Sequence, residues 1–111
     1  MIKPRDRALY MAAELTFGRN VQLAVANEEL AEAQQQICKV MRGKLDINSL
    51  TEELADAVIV IEEVMVMLNI SERDLLKVKS RKQHRLIKTI AEAQKTNADE
   101  VMEWINALKN I

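Results

Sequence analysis

Cysteine occurs once, at position 38, so the chain has no intramolecular disulfide framework and fits a reducing compartment. With no histidine near it in the sequence to activate a thiolate, Cys38 reads as a small buried packing residue and not as a nucleophile. Two glycines, one proline and three aromatics in 111 residues argue against sheets with many turns and against a disordered, linker-rich chain. Long apolar runs are also missing. The run Ala57 to Ile61 stops at Glu62-Glu63 and, like every other run in the chain, is far too short to span a bilayer. The opening Met-Ile-Lys-Pro-Arg-Asp lacks the apolar stretch of a signal peptide, so the expected location is cytoplasmic. A formal net charge of −1 gives no global case for a nucleic acid polymer or a membrane surface as partner, and leaves any steering to local patches.

What is present is helical material: 49% of residues are apolar and 30% are charged. The expected fold is all-α, an antiparallel helical bundle in a single domain over 1–111. Pro4 is tolerated at the start of a first helix over about 5–16, ended by Gly18. Asn20 is a plausible N-cap for a second helix to about Arg42, and Gly43 offers a left-handed stop. Ser49 with Glu52 reads as a capping box opening a third helix to about Leu68, after a short loop over 43–48. Ser71 with Asp74, and Ile70 facing Leu75 as a hydrophobic staple, open a fourth helix to about Gln94. Asn97 with Glu100 begins a C-terminal helix over about 98–109, carrying Val101, Trp104, Ile105 and Leu108. Short connections between long amphipathic helices favour antiparallel neighbours, which puts helices two to four in the body of the bundle.

One repeat stands out. Glu28-Glu29-Leu30-Ala31-Glu32-Ala33 recurs twenty-four residues later as Glu52-Glu53-Leu54-Ala55-Asp56-Ala57, and Ile37, Val40 and Met41 match Ile61, Val64 and Met65. Glu29 and Glu32 project about 60° apart beside the stripe of Ala26, Leu30, Ala33, Ile37 and Met41. Glu53 and Asp56 hold the same relation to Leu50, Leu54, Ala57, Ile61, Val64 and Leu68. Packed stripe to stripe, the two helices would turn four carboxylates toward one cleft. Such acids repel and raise one another's pKa unless a cation neutralises them, and an oxygen-only set suits hard Mg²⁺, with Mn²⁺ as the alternative, over zinc. With the helix ends level at the loop, the two acid pairs are offset by roughly 9 Å, a stagger that six loop residues can span at roughly 3.3 Å each.

The pattern E-E-x-x-E over Glu28 to Glu32 and E-x-x-D over Glu53 to Asp56 has further company: Phe17-Gly18 and Gln22-Leu23 before it, Arg42-Gly43 between its halves and an apolar helix after it. Together these resemble the MazG-like branch of the all-α nucleoside triphosphate pyrophosphohydrolases, over about residues 15–90. The resemblance implies that Glu29, Glu32, Glu53 and Asp56 are magnesium ligands and that Glu28 supports the site or orients water. The reaction it implies is cleavage of a nucleoside triphosphate between the α and β phosphates, giving the monophosphate and pyrophosphate. Lys79, Lys82 and Arg85 are similar to the K-x-x-R-x-x-R pattern found after the family's third helix, with lysine at position 82 where arginine is common, and would meet phosphate. Lys39 and Arg42 are further candidates for phosphate, and Phe17 and Gln22 for the nucleotide pocket. His84 reads as exposed, and Met65 and Met67 as packing. Trp104 reads as an anchor in a core or an interface, and a chain this short with several apolar faces is expected to form a homodimer or a dimer of dimers. The rival readings are a helical adaptor whose acids and bases form surface ion pairs, and an inactive homologue or one acting on dUTP or phosphoribosyl-ATP.

Overall fold

The computed structural model describes residues 2–111, and it is all-helical: α1 (Pro4–Phe17), α2 (Arg19–Met41), α3 (Ile47–Met67), α4 (Glu72–Ala93) and α5 (Ala98–Leu108), with no strand among the described residues. No helix is long and apolar enough to cross a membrane. The helices fall into two compact units, one ending at Glu72 and the other comprising Arg73–Ile111.

In the first unit α2 and α3 pack antiparallel along most of their length, and α1 packs on both. Small side chains make this close approach possible: Ala26 and Ala33 of α2 and Ala57 of α3 are buried, together with Val60 and Met67. A second cluster joins Ile2, Tyr10 of α1 and Met65, with Val66 against it. Tyr10 donates to Glu62 Oε1 at 2.6 Å, and its pKa is pushed up, first by burial and then by that acceptor. Arg19 holds the corner between α1 and α2, donating to Glu14 Oε2 at 2.7 Å and to the Met67 carbonyl at 2.7 Å. The latter contact satisfies one of the carbonyls left open at the end of α3. The apolar stripes are only half used: Leu30, Ile37 and Met41 on α2, and Leu54, Ile61 and Leu68 on α3, remain exposed although the pattern puts them beside the core.

The chain punctuates its helices by local chemistry. Gly18 sits at φ 89°, ψ 153°, a conformation reserved for glycine, so α1 and α2 meet at one residue and α2 starts at Arg19 without a cap at Asn20. After α2 the Lys44 amide donates to the Lys39 carbonyl and the Gly43 amide to that of Val40, the paired bonds of a Schellman stop, with Gly43 at φ 74°. Asn69 and Lys95 end α3 and α4 in the same way, with φ of 57° and 56°. At the start of α3 the expected cap moves by three residues. Asp46, not Ser49, is the N-cap, accepting from the Ser49 amide at 3.2 Å and the Ser49 hydroxyl at 3.1 Å. The carboxylate wins because it accepts both donors in charged form, and those bonds, the backbone one first, hold its pKa below the usual aspartate range.

In the second unit Asn97 caps α5 by accepting from the Glu100 amide at 3.0 Å. Ala91 and Val101 are buried, Val101 with 1% exposure. Trp104 is 48% exposed, which makes Val101 the buried member of the C-terminal stripe and leaves the indole available for an interface role. Cys38, expected inside, is half-buried.

Two substitutions test this account with opposite signs. Lys95→Gly should stabilise the protein by about 1 kcal/mol, because a side chain in the left-handed region pays a steric penalty that glycine does not. Gly18→Ala should destabilise it by about 1–3 kcal/mol. Urea denaturation midpoints, at unchanged slope, read both.

Candidate metal centre

Four acids of the repeated motif face one another across the α2–α3 seam. One carboxylate oxygen from each of Glu29, Glu53 and Asp56 lies within 4.8 Å of the others, and all three residues are half-buried. Glu32 is exposed at the rim, and its charge acts on both Glu29 and Glu53. Glu28 is exposed and lies outside the three-acid cluster.

The register that brings them together comes from outside the motif. Buried Gln22 donates from its amide to Glu63 Oε2 at 2.9 Å. With helix ends level across the loop Gln22 would stand opposite position 66, so pairing with Glu63 slips α3 by three residues, about 4.5 Å at 1.5 Å per residue. The same slip sets Glu29 level with Asp56 and Glu32 level with Glu53. These are pairs whose proximity helps to raise the Glu29 and Glu53 carboxyls. The full 9 Å stagger is therefore not needed, because pairing each first acid with the other helix's second acid halves it. Gln22, a nucleotide-pocket candidate from the sequence, is thus committed to the seam.

Electrostatically the cluster is uncomfortable. The Glu29 carboxyl is pushed up first by desolvation, then by the charges of Glu32 and Asp56, the hydrogen bond with Asp56 and the charge of Glu53. The Glu53 carboxyl is raised by desolvation, then by its hydrogen bond with Glu32 and the charges of Glu32, Asp56 and Glu52. Among the described residues none of the ion pairs reaches this cluster. Glu29 Oε2 and Glu53 Oε2 are buried without any hydrogen-bond partner. Orphaned carboxylate oxygens in an oxygen-only set fit a hard divalent cation, which would supply both the missing charge and the missing partners.

The other predicted residues are dispersed. Lys39 and Arg42 border a shallow groove on α2 with Gln34, Gln35 and Cys38. Phe17 ends α1 and is exposed. Lys79, Lys82, His84 and Arg85 are exposed on α4, where Lys79 and Lys82 flank a shallow apolar groove with Leu75, Val78 and Leu86. Sequence reasoning passed over Glu63 and Glu62; their one visible signal was a pair of acids interrupting the most apolar helix. Comparison with protein-family models, curated proteins and solved structures finds no match to this chain.

The raised carboxyls give a pH dependence with a definite sign. Protons bind more tightly in the folded state than in the unfolded one, so this contribution is present below the ordinary carboxylate range and is lost as pH climbs through the raised values. The metal-free protein should gain thermal stability as pH falls from neutrality toward the ordinary glutamate range. Asp46 acts in the opposite sense, but only at lower pH, where its lowered carboxyl takes up a proton. Calorimetry of chelator-treated Glu53→Gln should show a higher midpoint at neutral pH and a flatter pH response; an unchanged response would remove the acid cluster as its origin.

Proposed function

We propose that this chain is a MazG-like, magnesium-dependent nucleotide pyrophosphohydrolase that cleaves a nucleoside triphosphate between its α and β phosphates, releasing the monophosphate and pyrophosphate. The observation that carries this reading is the meeting of Glu29, Glu53 and Asp56 on one seam, with two buried carboxylate oxygens unpartnered. These are positions at which the motif resemblance expects metal ligands. In this reading Glu29, Glu53 and Asp56 hold Mg²⁺ or Mn²⁺, and Glu32 joins from the rim. Such an ion neutralises phosphate oxygens and lowers the pKa of a water bound to it.

The protein's own groups would do the rest. Glu28 stands one turn before Glu32 on an exposed edge and is assigned to orient the attacking water and accept its proton. For Lys79, Lys82 and Arg85, exposed on α4, a phosphate role rests on the motif resemblance alone, Arg85 as a planar fork and the two lysines as point charges. Lys39 and Arg42, beside the groove on α2, rank behind them. Phe17 has an exposed ring at the α1–α2 corner and is the candidate for stacking on the base. A homodimer or dimer of dimers belongs to the same reading.

Two measurements test it. Mg²⁺ at a hundredfold excess over its Kd should stabilise the wild-type protein by about 2.7 kcal/mol and leave Asp56→Asn little changed. A panel of nucleoside triphosphates incubated with Mg²⁺ should yield pyrophosphate and a monophosphate, and Glu53→Gln should lower turnover by at least about 100-fold. Orthophosphate and a diphosphate as primary products would rule out the reaction. Metal binding without turnover would point to an inactive homologue or one specific for dUTP or phosphoribosyl-ATP, and absence of metal binding to a helical adaptor.

A further inference from the structure

Charge on this chain is sorted along the sequence. Residues 75–91 hold six of the sixteen Lys and Arg and none of the seventeen Asp and Glu, so a chain of net charge −1 carries +6 there and −7 elsewhere. On α4 part of this surplus forms a row. At 100° per residue Arg73, Lys77, Arg81, His84 and Lys88 fall within an arc of about 80° and extend over about 22 Å of helix at 1.5 Å per residue. All five are exposed, and no acid of α4 falls within that arc. None of the ion pairs among the described residues involves any of them. Arg73 with Lys77, and Lys77 with Arg81, are like charges one turn apart, a spacing that works against the helix they sit on. The row therefore has charge that nothing within the helix balances, and an anionic partner would relieve it.

We propose that this row docks the phosphate backbone of duplex DNA. Clustered Lys and Arg along one helix face are the electrostatic footprint of nucleic-acid binding, and duplex DNA offers about one charge per 1.7 Å. Other anionic surfaces fit less well. Leu75 and Leu86 project about 160–180° from the centre of the row. A bilayer that took up this apolar face would meet the row a helix diameter away, about 10 Å, which is one Debye length at about 0.1 M salt. The same face carries Lys79 and Lys82 beside its groove. Single strands are held on aromatic platforms, and α4 has no aromatic residue. The major groove of B-DNA, about 12 Å wide, admits a helix whose long side chains reach the phosphates on its rims, whereas that of A-form RNA is deep and closed to them. Contacts to phosphate position the protein and carry no base sequence, so the binding is sequence-independent. The row shares no residue with the groups assigned to nucleoside triphosphate, and the proposal does not rest on the pyrophosphohydrolase reading.

Fluorescence anisotropy of a labelled duplex of about 20 bp and mixed sequence, titrated with the full chain at about 50 mM KCl, reads the interaction. Four charged contacts give log K a slope of about −3.6 against log salt, so affinity should fall by about 100-fold between about 50 and 200 mM. Lys77→Gln, Arg81→Gln and Lys88→Gln should each weaken binding by about 10-fold and lower the slope by about 1. Helical circular dichroism should be retained, because each change removes like-charge contacts. Lys44→Gln, which removes an exposed charge outside α4, should bind like the wild type. A single strand of the same length, and vesicles of about 30% phosphatidylserine in phosphatidylcholine, should bind more weakly at equal phosphate. Should the glutamine variants fail to fold, lysine acetylation of the wild-type protein gives an independent reading: the duplex should protect Lys77 and Lys88 and leave Lys44 reactive. No duplex binding by about 100 µM protein, row variants that fold and bind unchanged, an equal loss in Lys44→Gln, tighter binding to the vesicles or the single strand, or unprotected row lysines would each overturn the proposal. Pyrophosphate release by the folded glutamine variants reads the acid seam separately, so failure of either idea is distinguishable from failure of the other.

Discussion

The hydrogen bond from the buried Gln22 amide to the half-buried Glu63 carboxylate lies on the α2–α3 seam, where a one-residue slip would strand the amide without a partner. Leaving such a pair unmade costs roughly 1–3 kcal/mol or more for a charged partner, a large share of a small domain's stability. It therefore selects one register among several that the alanine-lined seam would pack almost equally well. Arg19 reinforces that choice by tying the corner after α1 to the last turn of α3. Once this register is set, Glu29 meets Asp56 and Glu32 meets Glu53 without further adjustment.

The same seam that lets the helices approach also concentrates negative charge. Ala26, Ala33 and Ala57 bring the backbones close, and the carboxylates beside them lose water and crowd one another. The fold tolerates this because its stability comes from elsewhere: the Schellman stops, the Asp46 and Asn97 caps, and the Tyr10–Glu62 and Gln22–Glu63 bonds. Clusters of this kind occur at functional sites and in structural networks alike. The two flanks of the pair then divide the labour, one carrying acids and the other large aliphatic side chains.

How far the sequence alone reaches is clearest at individual residues. Gly18, Gly43 and Asn97 mark helix ends because each need is local: a positive φ that disfavours a side chain, or a short polar group beside free amides. The acid repeat was legible for a similar reason, since spacing of three on a helix fixes the angle between side chains before any partner is known. The start of α3 was not, because Asp46 and Ser49 are both good caps and only the loop path leaving Gly43 decides which one reaches the free amides.

By itself the sequence determined that the chain is helical, where the helices stop, and that Glu29, Glu32, Glu53 and Asp56 stand beside apolar stripes. These follow from backbone preferences and a periodicity that each helix carries alone. Only the tertiary structure decided the three-residue slip that joins the acids, the commitment of Gln22 to Glu63, and which half of each apolar stripe is buried. Those outcomes depend on pairing buried polar groups and on fitting small side chains between two helices, and neither requirement exists until the helices meet.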